Sequence, residues 1–246
     1  MAYIDLNCDL GEGIGNDSAI MPYISSANIA CGFHAGDEDS IRTAIDLALQ
    51  YDVAIGAHPG FSDKANFGRT AVHLKGNELY DLITAQVYAM QHVCREKGAA
   101  LQHVKPHGAL YNMAAASPEM AVIIAGAIKD VDESLCLYGL SGSHLIIEAQ
   151  KAGLTTASEV FADRTYMDDG SLSPRGMPGA VIKNEAAVVA QVTQMVTEKS
   201  VTTIMGNVIP IVAETICLHG DGEHAVSFAK LINQTLINNR LIIRYP

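Results

Sequence analysis

The chain of 246 residues is short of positive charge. Its 16 lysines and arginines stand against 27 aspartates and glutamates, which gives a formal net charge of −11. Proteins that bind DNA or RNA neutralise phosphates with a basic surface, so a nucleic-acid partner is excluded. The same acidic balance argues against binding to an anionic membrane. The longest apolar run, residues 121–128, is far shorter than the roughly 20 residues of a membrane span.

Several chemical signatures are also missing. The five cysteines are odd in number, and no two of them have the two-residue spacing of a zinc knuckle or a redox motif. There is no Walker-type phosphate loop and no Gly-x-Ser-x-Gly turn, which excludes the nucleotide sites and serine hydrolases that carry them. The N-terminus has no basic region followed by an apolar stretch, so we expect a cytoplasmic protein without a signal peptide.

What the chain does contain is a regular alternation of strand and helix patterns, which we interpret as a single domain over residues 1–246. Strands are predicted at 3–7, 27–31, 53–57, 101–105, 135–140, 155–161, 215–218 and 241–244, the last closing the sheet. Helices are predicted at 39–51, 78–97, 118–128, 143–152, 184–199 and 223–237. Residues 203–212 include Pro210 and predict an edge hairpin.

Four histidines share one context, directly after an apolar strand and directly before a glycine or proline turn. They are His34, His58, His107 and His219. A doubly wound sheet would spread them along a crevice, whereas a barrel would bring them together on its C-terminal face, where barrel active sites are built. The pattern therefore favours an α/β barrel. His73, His92, His144 and His224 are expected on the surface, and His103 is expected to face the barrel interior.

The first strand carries polar residues at alternate positions, Asp5, Asn7 and Asp9. A polar row inside a barrel must be paired or functional, and carboxylates with imidazoles suit a divalent metal. Lys105 stands in a strand that should be buried, which indicates either a salt bridge to a carboxylate or a direct role in catalysis.

A long polar loop covers residues 163–178 and carries Asp163, Arg164 and Arg175. Loops of this length inside a compact domain are usually functional. Two arginines above a polar barrel mouth suit the recognition of a phosphate or a carboxylate.

Six motifs in order resemble the LamB/YcsF family over essentially the whole chain. They are DLNCDLGE (5–12), SANIACGFHAGD (26–37), IGAHP (55–59), HVKPHGALYN (103–112), EVFADR (159–164) and CLHGD (217–221). The resemblance implies a distorted seven-stranded (β/α) barrel similar to the glycoside hydrolase/deacetylase superfamily. It also implies ATP-dependent opening of the lactam 5-oxoproline to L-glutamate, as one component of a 5-oxoprolinase with partner subunits B and C.

With this resemblance, the candidate catalytic residues are Asp9, His34, Asp37, Lys105 and Asp163. Asp37 is expected to orient His34 for proton transfer. The candidates for binding substrate or phosphate are Asn7, Glu12, Arg164, Arg175 and His219. Deacetylase-like barrels hold a divalent ion with one carboxylate and two imidazoles, which map here onto Asp9, His58 and His107.

Two other functions stay open at this stage. The chain can be a binding or assembly module of the complex while subunits B and C hold the chemistry, or a stand-alone metal-dependent deacetylase. The metal site also has an alternative, in which the histidines bond to backbone groups and bind no ion.

Overall fold

Strands and helices alternate along most of the chain in the computed structural model, which describes residues 3–220, 222 and 224–246. The strands are Tyr3–Leu10 (β1), Ser26–Ala30 (β2), Ala54–His58 (β3), Leu101–Val104 (β4), Cys136–Leu140 (β5), Thr156–Phe161 (β6), Ser200–Thr202 (β7), Val208–Pro210 (β8), Thr215–His219 (β9) and Ile242–Ile243 (β10). The helices are Asp17–Ile20 (α1), Glu38–Tyr51 (α2), Gly76–Glu96 (α3), Gly108–Ala116 (α4), Pro118–Val131 (α5), His144–Ala152 (α6), Glu185–Thr197 (α7) and Ala225–Asn238 (α8).

Seven parallel strands close into a ring in the order β1, β2, β3, β4, β5, β6 and β9. Strand β9 pairs back onto β1, with Asp5 opposite Thr215 and Asp9 opposite His219. The predicted seven-stranded (β/α) barrel is therefore confirmed. The prediction that the strand near residues 241–244 closes the sheet is wrong, because β10 pairs only with the start of β1, where Tyr3 lies opposite Ile242.

The predicted hairpin near residues 203–212 exists but lies elsewhere in the sheet topology. Strands β7 and β8 pair antiparallel, with Ser200 opposite Pro210, and they form a sheet of their own. The hairpin is thus not at an edge of the barrel sheet, which is the position that Pro210 indicated.

The helices follow local signals that the sequence carries. Asp37 begins α2 with a reciprocal capping box to Ser40, and Ser117 with Pro118 begins α5. Helix α4 was not predicted, because it begins at Gly108, two residues after Pro106, and this segment has the composition of a turn. Residues Asp221 and Glu223, which end the last motif and begin the last predicted helix, lie outside the described residues. Among the residues that are described, no helix has the length and apolar character needed to cross a membrane.

The barrel separates an apolar shell from a polar interior. On β1, Leu6, Cys8 and Leu10 belong to the hydrophobic core outside the ring. The alternate residues of the same strand, Asp5 and Asn7, bond inside the ring to side chains of other strands. Most small barrels fill this interior with branched apolar side chains. Here it holds a hydrogen-bonded network instead, and that network forms the floor of the site.

A glycine in β3 makes room for a histidine in that interior. A Cβ atom at Gly56 would collide with the imidazole ring of His103. The His103 ring donates from Nε2 to Asn28 Oδ1 over 2.8 Å and stacks on Tyr138 with ring centroids 4.2 Å apart. The expectation that His103 faces the barrel interior is therefore confirmed.

Candidate functional site

A cavity of about 760 Å³ opens at the C-terminal ends of the barrel strands. Its floor includes Asp9, His58 and Lys105, which come from β1, β3 and the end of β4. Residues 169–175 of the long polar loop form part of its wall. The C-terminal face is where parallel barrels build their sites, so this cavity is the candidate functional site.

Lys105 is the centre of the charge network in the floor. Its Nζ lies 2.9 Å from Asp9 Oδ1 and 2.8 Å from Glu159 Oε1. It also donates to Asn7 Oδ1 over 3.2 Å and to Cys217 Sγ over 3.0 Å. The side chain is 2 % exposed, so both ion pairs are shielded from water.

Burial and charge act in opposite directions on these groups. Burial by itself lowers the pKa of the Lys105 ammonium, but the carboxylates of Asp9 and Glu159 raise that pKa well above its ordinary value. Burial raises the pKa of Asp9, yet the positive charges of His58 and Lys105 hold it well below the usual range. Lys105 and Asp9 are therefore both charged near neutral pH.

Three of the four strand-end histidines lie together beside Asp9. The rings of His34 and His107 stack with centroids 3.8 Å apart, and His58 lies edge-on to both. His58 Nε2 lies 2.9 Å from His107 Nδ1 and 3.4 Å from Asp9 Oδ2.

The hydrogen-bond directions fix the protons of this cluster. His107 Nε2 donates to the Phe67 carbonyl, and burial lowers the pKa of His107, so this ring is neutral and its Nδ1 accepts. His58 Nδ1 donates to the Lys105 carbonyl, and its Nε2 must donate to His107 Nδ1. The two rings thus share three hydrogen-bonding protons in this arrangement, and the Asp9 carboxylate lies beside them.

A divalent metal ion can replace the proton that lies between His58 Nε2 and His107 Nδ1. One ligand atom each from Glu12, His34, His58 and His107 lies within 4.8 Å of the others. His34 is fully buried, and neither of its ring nitrogens has a hydrogen-bond partner among the described residues. Burial lowers the pKa of His34 to about 3, so its lone pair is available. The donor set fits zinc or another first-row divalent ion.

A second group of potential ligands does not fit a cation. Asp9, Cys217 and His219 also have ligand atoms within 4.8 Å of one another. The Lys105 ammonium, however, is already within 3.0 Å of both the Asp9 carboxylate and the Cys217 sulfur. A metal ion there would meet an existing buried positive charge.

His219, the fourth strand-end histidine, lies in a separate pair at the cavity wall. Its Nδ1 donates to Asp163 Oδ2 over 2.9 Å, and its Nε2 accepts from Arg175 Nη2 over 2.8 Å. Burial raises the pKa of Asp163, but His219 and Arg175 outweigh it and lower that pKa below its usual value. The pair has the arrangement of a carboxylate that orients a histidine base.

Arg164 holds the long loop as well as lining the cavity. Its Nη2 donates to the Ser173 carbonyl over 2.6 Å, and its Nε donates to the Ala180 carbonyl over 3.3 Å. Burial lowers the pKa of this guanidinium to about 10. The side chain therefore shapes the wall formed by residues 169–175.

Two of the predicted site residues bond to groups other than those expected. Asp37 is exposed and its carboxylate accepts from Ser40 at the start of α2, so the prediction that it orients the buried His34 is wrong. Asn7 is fully buried below the cavity, where it bonds to Glu159, Thr215, Asn28 and Lys105. It accepts a hydrogen bond from Lys105 and is not among the residues that line the cavity.

Other residues of the site were missed from the sequence. Glu159 pairs with Lys105, and a charged residue inside the apolar strand β6 was the same signal that identified Lys105. His144 was expected on the surface, yet it lines the cavity together with Ser143 at the start of α6. Glu12, predicted to bind substrate, lies 3.8 Å from His34 Nε2 and 3.8 Å from His107 Nδ1 instead.

Comparison with known proteins gives consistent matches over the whole length. The family model described as the LamB/YcsF family matches residues 4–245. The chain is 50 % identical over 242 residues to the A subunit of 5-oxoprolinase from Tolumonas auensis, covering 96 % of each chain. It is 51 % identical over 241 residues to the corresponding 5-oxoprolinase chain of Brevibacillus brevis, covering 96 % of this chain and 95 % of the relative.

Solved structures show the same architecture. The lactam utilization protein from Thermus thermophilus superposes with a TM-score of 0.92 at 38 % identity, covering 99 % of this chain and 100 % of that one. A family 4 carbohydrate esterase from Streptomyces lividans superposes with a TM-score of 0.51 at 12 % identity, covering 98 % and 91 %. The second likeness concerns the barrel fold alone.

Proposed function

The chain belongs to the LamB/YcsF family, and from this premise we propose that it is the A subunit of an ATP-dependent 5-oxoprolinase. The complex would open the lactam of 5-oxoproline to L-glutamate together with partner subunits B and C in the cytoplasm. The observation that carries the proposal is the identity of about 50 % over nearly the full length to relatives that bear this name. Five free cysteines are consistent with a reducing compartment.

Opening the lactam needs activation of the amide carbon as well as a base that takes a proton from water. Resonance stabilises the amide, so its carbon is a poor electrophile. In the proposed reaction the amide oxygen bonds to the γ-phosphorus of ATP, ADP leaves and the amide nitrogen loses its proton. The resulting O-phosphorylated lactam has an electrophilic ring carbon.

We assign the next step to the Asp163–His219 pair. Arg175 Nη2 must first move off His219 Nε2, so that a water molecule can take its place at this acceptor. The water oxygen bonds to the ring carbon while Nε2 takes one of its protons, and the electron pair of the carbon–nitrogen double bond moves to nitrogen. Asp163 accepts from His219 Nδ1 and stabilises the imidazolium that forms. Protonated His219 returns the proton to that nitrogen. The remaining carbon–nitrogen bond then breaks with its electron pair on nitrogen, the hydroxyl oxygen becomes the carbonyl of an acyl phosphate, and the hydroxyl proton passes through His219 to the departing amine. A second water releases phosphate from the acyl phosphate and leaves glutamate.

The cationic groups of the cavity have a complementary role in this scheme. The Arg175 guanidinium at the wall and the Lys105 ammonium in the floor face the space where negative charge develops on oxygen. Glu12, His34, His58 and His107 would hold a divalent ion beside Asp9, where its charge would polarise an oxygen of the ligand.

Reconstitution tests the proposal. The chain combined with subunits B and C should release glutamate from 5-oxoproline only when ATP is present. A complex containing His219→Gln should lose most of this activity. His92→Gln, a change to an exposed histidine on α3, is the matched control and should retain it. Full turnover by the His219→Gln complex would favour the assembly-module alternative instead.

The position of ATP is measured separately. Equilibrium binding of ATP to this chain, to subunits B and C, and to the complex identifies which of them holds the nucleotide. Binding by the isolated chain would place the phosphoryl transfer in the cavity described above. Binding only by the partners would mean that an activated lactam must reach this cavity from them.

A further inference from the structure

The cavity is richer in cationic groups than the chain as a whole. Its lining includes Lys105, Arg69, Arg164 and Arg175, against the carboxylates of Asp9 and Asp169. Two further carboxylates lie against this lining, Glu159 beside Lys105 and Asp163 beside His219, and offset part of its charge. The complete chain carries a net charge of −11. A ligand with an anionic group would therefore be repelled less by this lining than by the acidic chain as a whole.

One wall of the cavity is the turn that begins helix α6, residues 141–144. The turn is held firmly, because Ser141 Oγ accepts from Val212 N over 3.0 Å and Ser141 N donates to the Glu159 carbonyl over 2.9 Å. Gly142 has φ of +75°, a conformation that other residues rarely adopt. The chain thus presents the start of a nine-residue helix to the cavity in a fixed orientation.

Ser143 stands at the N-cap of α6 without capping it. Its side chain makes no cap hydrogen bond, and its Oγ is buried with no partner in the part of the chain that the structure describes. Ser143 itself is 9 % exposed. At the start of α5, by contrast, Ser117 Oγ accepts from Met120 N over 3.3 Å. Nδ1 of His144 is likewise buried and without a partner among the described residues.

We infer that the α6 turn, comprising residues 141–144 and the first backbone N–H groups of the helix, is a subsite for an oxyanion group of the ligand. Ser143 Oγ and the free N–H groups at the helix start donate hydrogen bonds, and the helix dipole favours negative charge there. The assignment of the ligand rests on the proposed function. In that case the oxyanion is either the carboxylate of 5-oxoproline or the phosphoryl group that activates it.

The experiment uses the full chain and three probes: 5-oxoproline, 2-pyrrolidinone, which is the same lactam without the carboxylate, and inorganic phosphate. Binding is followed by titration of the backbone amide NMR signals of residues 144–146. Ser143→Asp keeps a good N-cap but places a negative charge in the subsite, and Ser143→Ala removes the hydroxyl. Ser117→Ala is the control, because it removes a comparable hydroxyl from the start of α5.

If the subsite holds the carboxylate, 5-oxoproline shifts these signals and 2-pyrrolidinone binds about tenfold or more weakly. If it holds the phosphoryl group, inorganic phosphate shifts them and the two lactams bind alike. In both cases Ser143→Asp should weaken the anion by about tenfold or more, while Ser117→Ala leaves it unchanged.

Two results would overturn the subsite: unchanged anion binding by Ser143→Asp, or no shift of residues 144–146 with either anion. Its failure is distinguishable from that of the proposed function. A complex that makes glutamate while Ser143→Asp binds normally removes the subsite alone. Anion binding at the α6 turn in a complex that makes no glutamate removes the proposed function alone.

Discussion

At the scale of single residues, Lys105 is the group on which the barrel interior depends. Its ammonium separates two buried carboxylates, Asp9 and Glu159, at 2.9 and 2.8 Å. Lys105→Met would leave both without their main partner, and we expect the free energy of unfolding to fall by about 3–5 kcal/mol. Urea unfolding at pH 7 measures this change.

The matched control is Lys151→Met. Lys151 pairs with Glu148 over 2.8 Å on α6, but its side chain is 67 % exposed. Exposed pairs contribute about 0–1 kcal/mol, so this variant should unfold close to the wild type. Equal losses in the two variants would contradict the role given to the buried network.

Asp163 controls His219 through one hydrogen bond. In Asp163→Asn the group that bonds to His219 Nδ1 loses its negative charge, so the imidazolium that forms when His219 takes a proton is no longer stabilised. We expect kcat for glutamate release by the complex to fall about a thousandfold or more, with a smaller change in KM. Asp169→Asn changes the same charge in the cavity wall and should leave kcat near the wild-type value. A comparable fall in both variants would point to the charge of the wall instead of the base.

At the scale of secondary-structure elements, the barrel could be predicted because its strands are short, apolar and ended by glycine or proline. The polar row of β1 could be predicted as well, from the alternation of Asp5, Asn7 and Asp9. What each polar residue contacts could not, since Asn7 is separated from Thr215 by 208 positions and the two meet only when the ring closes.

The errors have a common physical origin. Asp37 follows His34 closely in sequence, which suggests a contact, but Asp37 satisfies the N–H groups at the start of α2 and turns toward solvent. His144 was expected on the surface because it lies in a predicted helix, yet the start of α6 faces the cavity. Helix direction and packing decide these cases, and neither is visible in local sequence.

The buried His103 on strand β4 makes the stability of the fold depend on pH. Burial, followed by the charge of Lys105, lowers the pKa of His103 to about 3. The unfolded chain takes up this proton near pH 6.5, whereas the folded protein does not until about pH 3. Stability is therefore lost as pH falls through this window, by about 1.4 kcal/mol per pH unit for this one group.

His103→Gln isolates that contribution, because the glutamine amide can still donate to Asn28 Oδ1. We expect the unfolding free energy of the wild type to fall more steeply than that of the variant between pH 6 and pH 4, measured by urea titration at each pH. The exposed His73→Gln should follow the wild-type slope. Parallel slopes for wild type and His103→Gln would mean that the buried ring is protonated in the folded state.

At the scale of the whole molecule, the potential metal ligands come from the ends of four consecutive strands. Glu12 follows β1, His34 follows β2, His58 ends β3 and His107 follows β4. An ion bound to all four would tie together more than half of the ring of seven strands at its C-terminal face. Its binding energy is therefore expected to appear in the stability of the complete barrel.

We expect purified chain to take up about one equivalent of Zn²⁺ or Co²⁺, measured by elemental analysis and, for Co²⁺, by its visible absorption. At a free ion concentration a hundredfold above Kd, the stabilisation is about 2.7 kcal/mol, or a rise in Tm of about 5–10 °C. EDTA should reverse this rise.

His34→Ala should lower the affinity for the ion and the gain in Tm, whereas His92→Ala, on the exposed face of α3, should keep both. If His34→Ala binds the ion as tightly as the wild type, the ligand set is instead the smaller one of Asp9, His58 and His107. If the wild type binds no ion and its Tm is indifferent to EDTA, the cluster is held by its own hydrogen bonds, which join His58 Nδ1 to the Lys105 carbonyl and His58 Nε2 to His107 Nδ1.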